Sequence, residues 1–528
     1  MPKIIDGNSS RRDFLKFLAS STLALSGVEL AKTYLSEFDQ SSRAYAKGGY
    51  KLDPWTGDDF SFGHLLRDGK VPKFKCQSKS KVDTVIVGGG MAGLACAYNL
   101  KDQNFLLLDQ YDNLGGQSRS GTYNGMDFSY GPAYMSEPEG DVAELLQYAD
   151  LKPAKLEASK NSFYWAGKWH HGVEGLNDAK LQSQLDQIRA DTKKILFNKK
   201  NDGAEWFACD PDARALDQVS LASYLKSYDK DFINLLDNFC KSALCVGTEK
   251  TSALSGFVLL EDLYHTSYVA PGGNPGVAKA LAQKLVAARP DSYKRGVFVW
   301  SIELKDDGAK IIYGDKKGRH HEVECKHVAI AIPHMVTARV TKNMNNDLRA
   351  RLLQYKYGSY LVANLCLKKP VFDGSYDNWI SSTKMVADII TAESPYKVLG
   401  TYKPEMGQVL TVYMPFEPNS IGRGLLFQGD RKKLASDTLS EVVTLSSDIM
   451  SNLDRVVLSR WGHALAVTAP KMYENNAYLL QNDNAVFSFA HSSVQGIPCI
   501  EGAVEAGKRA AMKALKMKAQ SKVLFSIA

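Results

Sequence analysis

Hydrophobic positions along this chain change their period several times, and the changes predict its elements. Val82, Thr84, Val85, Ile86 and Val87 form a largely apolar, β-branched run that reads as a buried strand. Glycines at 88–90 interrupt it, a helical pattern runs from Met91 to about Lys101, and a second apolar strand follows at Phe105–Leu108. From about Met135 to Tyr264 the spacing becomes that of amphipathic helices, as in Asp178–Leu196 and Ser220–Leu236, broken by an aromatic-rich stretch at Phe163–His171. A helix is predicted over Pro275–Ala288, then alternating strands at Val297–Ile302, Ala309–Tyr313 and His320–Cys325. A fully apolar strand, His327–Ile332, is closed by Pro333. Tyr360–Lys368 and Gln408–Phe416 read as strands, Leu434–Leu453 as one long helix, Val456–Leu458 as a strand, and Ala485–Ala511 as strand, loop and helix. Lys47–Ser80 has little periodicity and predicts an extended arm leading into the strand–glycine–helix unit and able to cover part of it; its His64 and Arg67 could reach a site, a surface role being the default.

The strand–glycine–helix–strand unit carries the first chemistry. Gly88, Gly90 and Gly93 stand in the spacing G-x-G-x-x-G, and Asp109 ends the second strand. Gly88 permits the tight turn, Gly90 lets backbone approach a pyrophosphate, and Gly93 packs the helix on the sheet. The first helical turn, including Met91 and Ala92, offers N–H groups and the positive dipole end to phosphates. Asp109, with Gln110 beside it, is placed to accept hydrogen bonds from an adenosine ribose. A dinucleotide site is the reading. No second unit of this kind is present, so a tightly bound nicotinamide partner is not expected.

Size and charge bound the rest. A chain of 528 residues is long enough for two domains. Its net charge of +7 is spread over scattered lysine pairs, the pattern of a solvated basic surface and not of a nucleic-acid footprint. No apolar run is long enough for a stable membrane span. Ser10-Arg11-Arg12-Asp13-Phe14-Leu15-Lys16 matches the twin-arginine export pattern S-R-R-x-F-L-K, with a mildly apolar segment at Phe17–Leu30 and an A-x-A cleavage site at Ala44-Tyr45-Ala46. Residues 1–46 are therefore expected to be a signal peptide read by the twin-arginine translocase, giving a periplasmic or secreted protein loaded with its cofactor before export. The eight cysteines form no C-x-x-C pair. Cys240 and Cys245 could bridge, but few or no disulfides and no metal site are expected. His170 and His171, adjacent on a strand, point to opposite faces and cannot chelate together.

Further motifs resemble one family. Leu114-Gly115-Gly116-Gln117-Ser118-Arg119-Ser120 is similar to the L-G-G-R-[ST]-x-[ST] segment of flavin-containing amine oxidases, with Gln117 at the arginine position and Arg119 two residues on. Phe128–Ala133, with Gly131 and Pro132, resembles the segment passing beneath the flavin, and Ala270–Asn274 the family's P-G-G return. Ala331-Ile332-Pro333 resembles its A-[TV]-[GP] strand ending, with Val299 on a neighbouring strand. Arg460-Trp461-Gly462-His463-Ala464 looks like the wording of bacterial spermidine dehydrogenases. Ile500-Glu501-Gly502-Ala503 opens the C-terminal signature helix, after Phe489-Ala490-His491-Ser492 in place of F-A-G-E.

The resemblance implies an α/β fold, in which a Rossmann-like FAD-binding domain (81–134, 265–335 and 455–516) interleaves with an α+β substrate domain (135–264 and 336–454), after an arm at 47–80. It implies FAD held by the residues named above, with Trp461, His463 and His491 as candidate catalytic groups. The implied reaction is oxidation of an amine C–N bond by hydride transfer to flavin N5, followed by hydrolysis of the imine. Cys499 at an aromatic-cage position argues against aromatic monoamines and for polyamine-like or secondary amines. Of the acceptors open to the family's chemistry (oxygen, a quinone or a cytochrome), oxygen is disfavoured, because the family's lysine is missing from the strand at Tyr360–Leu367, and a dehydrogenase passing electrons to another acceptor is expected. Two other readings stay open: a desaturase or C–C dehydrogenase of the carotenoid or protoporphyrinogen type, and an electron-transfer subunit without turnover. A homodimer is also left open.

Overall fold

The computed structural model describes residues 49–157, 161–165, 167–172, 178–198, 207–261, 263, 266–381 and 383–526. The export motif, the apolar segment, the cleavage site and the 264/265 boundary lie outside the described residues. Two large sheets face each other across a cavity.

The first sheet has eight strands among the described residues. At its centre Cys76–Val87 runs parallel to Phe105–Leu108 on one side and to His320–Ile330 on the other. Strands Val297–Lys305, Gly308–Asp315 and His320–Ile330 form an antiparallel meander beyond. His320–Cys325 and His327–Ile332, expected as separate strands, are largely one. Its first half pairs with Gly308–Asp315 and its second half with Phe487–Phe489, so partners change along a continuous backbone.

The helix Met91–Asn99 is buried from Met91 to Ala97 because it lies between this sheet and the C-terminal helix Ile500–Ser526. Small residues set that packing. A Cβ on Gly93 would sit 1.9 Å from the Gly88 carbonyl oxygen, and one on Gly507 would sit 2.2 Å from that of Ala92.

The second sheet has nine strands among the described residues and forms a roof. Its path runs Lys51–Leu52, Leu453–Ala466, Tyr357–Leu367, Gln408–Phe416, Asp388–Thr391, Asp377–Ile380, Ser162–Trp165, Lys168–His171, with Thr56–Gly57 also on Leu453–Ala466. Helices Ala179–Ile195, Pro211–Asp217, Lys230–Leu244 and Ala253–Glu261 pack a separate apolar core against Phe163 and Trp379. His170 stacks on Phe163 while His171 pairs with Ser162, so the two histidines diverge.

Several expectations need correction. Ser220–Leu236 is not one helix: Leu221–Tyr224 is a short 3-10 turn, and a new helix, Lys230–Leu244, starts where the Asp229 carboxylate accepts the Asp231 N–H at 3.0 Å. Leu434–Leu453 is likewise split into Arg431–Val442 and Asp448–Asn452, with the Thr444 hydroxyl donating to the Glu441 carbonyl at 2.6 Å between them. Competing side-chain hydrogen bonds break helices that hydrophobic spacing alone would continue. Residues 455–466, assigned to the cofactor unit, lie in a long roof strand near one edge of that sheet. None of the eight cysteines forms a disulfide, Cys240 and Cys245 included; both are buried.

Candidate active site

The cavity between the sheets has a volume of about 1240 Å³, above the ~300–1,000 Å³ usual for small-ligand sites. Its floor starts at the glycine turn. Gly88 has φ +106°, a conformation open to glycine, and hands the chain to the helix N-terminus at Gly90. A Cβ on Gly90 would meet only Gly116 Cα, at 3.8 Å, so bare backbone faces open space there. The first N–H groups of that helix have no intrahelical acceptor. The loop of Gly115 and Gly116 is tied alongside by the Gly115 N–H donating to Gly89 at 2.8 Å. Asp109 is buried, and its two oxygens accept the N–H groups of Gly89 (2.6 Å) and Tyr111 (2.8 Å), leaving further lone pairs for a ligand. This cradle fits the pyrophosphate and ribose of a dinucleotide.

Gly88, Gly90, Met91, Ala92, Asp109 and Gln110 all line the cavity. So do Gly115, Gly116, Gln117, Gly131 and Pro132, and on the far side Val299, Ala331, Pro333, His491, Ile500 and Ala503. Three predicted contacts do not line it. Gly93 is spent on helix packing. Glu501 accepts the Ser136 N–H at 2.8 Å. Arg119, two residues beyond the position of the missing arginine and one candidate for its contact, donates to the carbonyls of Gly116 (2.9 Å) and Gly57 (2.6 Å) and lies over the Tyr111 ring, where it staples the arm to the loop. Gln117 donates from Nε2 to the carbonyls of His463 (3.1 Å) and Ala464 (2.8 Å), so its amide joins floor to roof.

The roof side begins with Trp461, whose Nε1–H donates to the Tyr130 carbonyl at 2.7 Å, and His463 two residues on. Burial pushes the His463 imidazole down to about 3, helped by the nearby Arg423, His64, Arg339 and Arg67. His491 is pushed down to about 4 by burial. Its Nδ1 pairs with Ser493 Oγ (2.6 Å), which pairs in turn with His334 Nε2 (3.0 Å). Both candidate histidines are therefore neutral near pH 7. The geometry brings Trp461, His463 and His491 to one cavity, His463 on the roof and His491 on the floor.

Several lining residues escaped the sequence reading. The arm is no surface appendage: Asp58 accepts the Gly462 N–H at 2.8 Å, and Asp58, His64 and Arg67 all line the cavity. Burial lowers the His64 pKa below its ordinary value, with Arg67 adding to it. Tyr360 lines the roof directly opposite Trp461 on the neighbouring strand, and Tyr413, Asp388 and Asp377 line it farther along the sheet. The available signal for the two acids was a carboxylate inside each apolar run, Tyr376–Ile380 and Val386–Ile390. Among the described residues no cluster of His, Cys, Asp or Glu is arranged to hold a metal ion, and no helix is long and apolar enough to cross a membrane.

Comparison with known proteins agrees with this geometry. The solved structure of putrescine oxidase bound to putrescine is 18% identical, with a TM-score of 0.67 over 83% of this chain and 100% of that one, a likeness of fold. Oxidoreductase PigB of Serratia sp. (strain ATCC 39006) is 22% identical over 391 residues, 62% of this chain and 58% of that protein. The probable flavin-containing monoamine oxidase A of Dictyostelium discoideum is 24% identical over 289 residues, 49% of this chain and 59% of that protein. The chain thus spans less than two thirds of the length of these two relatives. The family model described as flavin containing amine oxidoreductase matches residues 91–515, most of the chain. This protein belongs to the flavin-containing amine oxidoreductase family, and FAD is its cofactor.

Proposed function

We propose that this chain is an exported FAD-dependent oxidoreductase that oxidises a C–N bond of an amine. The observation that carries the reading is the large cavity between a bare-backbone helix N-terminus and an aromatic roof, lined by histidines that burial keeps neutral. Bound FAD supplies a two-electron acceptor for a hydride from the carbon next to nitrogen, and water then turns the imine into a carbonyl compound and an amine. The chain's own residues position and exclude. The glycine loop and Asp109 hold the nucleotide, Trp461 and Tyr413 wall the substrate space, and neutral His463 and His491 accept or donate hydrogen bonds without adding positive charge beside a reacting amine.

Polyamine-like or secondary amines are the favoured substrates, on the Arg460–Ala464 wording and on Cys499, which lines the cavity where a cage aromatic was absent from the sequence. Lys368 follows the Tyr357–Leu367 strand and is exposed, outside the cavity lining, which supports an acceptor such as a quinone or a cytochrome over oxygen. Residues 1–46 supply the export address. The division into cofactor and substrate units is kept, with 455–466 transferred to the roof.

Anaerobic mixing of holoprotein with polyamines, monoamines and amino acids, following the visible flavin band, tests the reading. Rapid bleaching by one amine class is expected, and admitting air then tells oxygen from another acceptor. Bleaching by dithionite but by no amine would overturn it in favour of a desaturase or an electron-transfer subunit.

A further inference from the structure

One end of the roof holds two carboxyl groups that the cofactor chemistry does not use. Strands Asp377–Ile380 and Asp388–Thr391 are antiparallel, with Asp377 opposite Ile390 and Trp379 opposite Asp388. Asp377 and Asp388 are therefore diagonal neighbours on one face, and both line the cavity. They are 3% and 7% exposed. Among the described residues neither has a cationic partner.

Their hydrogen bonding is incomplete. Asp388 Oδ2 accepts the Ser242 hydroxyl at 3.2 Å, while Oδ1 of each acid has no other donor. The two carboxyls are close enough to interact directly, which favours a proton held between them. Burial raises both groups above the usual carboxylate range, and mutual repulsion drives Asp388 further. A cation seated between them would draw the pair toward its ionised form and supply the partner that both carboxyls lack in this low-dielectric wall. An isolated buried charge is costly and calls for a partner. The surrounding rings cannot supply one. The Tyr413 hydroxyl donates to the Gly131 carbonyl at 2.6 Å and the Tyr360 hydroxyl to that of Ser242, so both are spent. Aromatic walls around a negative centre suit an ammonium group.

Position and the opposite end of the cavity sharpen this. The Asp388 strand lies three strand steps from the Trp461 strand, about 14 Å at roughly 4.8 Å per step. At the Trp461 end, Arg67, Arg339 and Arg423 surround His463, only partly offset by the Asp58 and Asp59 carboxyls that line the same end, and disfavour a further cation. We propose that Asp377 and Asp388 form a receptor for a second cationic group of the amine substrate, carried on a linear chain away from the C–N bond that reacts. This rests on the amine-oxidation reading and narrows its substrate class to linear diamines and polyamines.

The test is calorimetric binding to anaerobic holoprotein, comparing linear α,ω-diamines with n-alkylamines of equal length. Wild type is expected to bind the matching diamine at least ten-fold more tightly than its alkylamine. Asp388→Asn and Asp377→Asn, each checked for flavin content and thermal unfolding, are expected to bring that ratio to about one. A wild-type ratio near one overturns the proposal without any variant, and so does a ratio retained in both folded variants. Failure of the oxidation reading is separate: diamine bound through the acids without flavin bleaching removes the reaction and keeps the receptor, while bleaching by alkylamines without diamine preference does the reverse.

Discussion

The Leu453–Ala466 strand and the Asp377–Thr391 strand pair belong to one sheet and face one cavity, yet they are electrostatic opposites. At the first, arginines crowd His463 and burial keeps its ring neutral. At the second, two carboxyls meet with no arginine or lysine paired to them among the described residues, and burial favours their protonated forms. Low dielectric has the same effect at both ends, disfavouring charge, but its sign on proton affinity reverses between base and acid. A cavity polarised in this way can orient a long cationic substrate without a salt bridge in the resting protein.

The most drastic way to break the comparison is to remove the floor both ends share. Gly93→Val puts side-chain atoms into the Gly88 carbonyl, where even a Cβ would be 1.9 Å away. A backbone neighbour cannot yield as a side chain would, so the cost reaches or exceeds the upper end of the ~1–3 kcal/mol of ordinary overpacking. Purified Gly93→Val is expected to carry almost no FAD, read from the ratio of visible to ultraviolet absorbance. A variant with full flavin content would show that the helix can move away from the turn.

Next comes the link between floor and roof. Gln117→Leu removes both hydrogen bonds to the His463 and Ala464 carbonyls. The expected loss is about 1–3 kcal/mol, because two acceptors lose their donor in a partly buried place. It should appear as a lower denaturation midpoint of the holoprotein, with a larger effect on His463 than on the acid end. An unchanged midpoint would mean that water replaces the amide.

Stability against pH separates the two ends directly. The His491 pKa falls from 6.5 in the unfolded chain to about 4 in the fold. Its contribution is complete above pH 6.5 and is lost as pH falls toward 4, by up to ~1.4 kcal/mol per pH unit. Asp388 moves the other way: raised well above 3.8, its contribution is complete below that value and is lost as pH rises through the folded pKa. Urea midpoints measured against pH should therefore flatten on the acid side in His491→Gln and on the less acid side in Asp388→Asn. Identical profiles in both variants would contradict opposite proton affinities at the two ends. The smallest effect is that of Arg423→Ala. It should raise the His463 pKa, yet leave it below 6.5 in a histidine NMR titration, since burial outweighs the arginines. A return to 6.5 would instead make charge the dominant cause.

Much of the floor was legible because its parts are close together in the chain. The strand, the glycines, the helix and Asp109 form one continuous unit from Val82 to Asp109, so spacing alone carries the geometry. The signature helix at Ile500–Ala511 was legible in the same way, its small residues being those that let it pack on Met91–Asn99. Arg119 was not settled by the sequence, because spacing does not tell a ligand contact from a staple: its guanidinium found Gly57, sixty-two residues earlier. The place of His64 stayed open between a site and the surface, because an arm without periodicity carries no sign of what it will cover.

The sequence by itself determined the fold class, the family, the nucleotide cradle and the positions of Trp461, His463 and His491 in the chain. Those follow from local rules, in which turn geometry, helix period and strand alternation act over a few residues. Only the tertiary structure decided that Trp461, Tyr360, Tyr413, Asp388 and Asp377 share one cavity face, and that one end is basic and the other acidic. The reason is that strand pairing joins residues from five separate strands, and charge inside a cavity depends on which side chains meet there and on how much water is kept out.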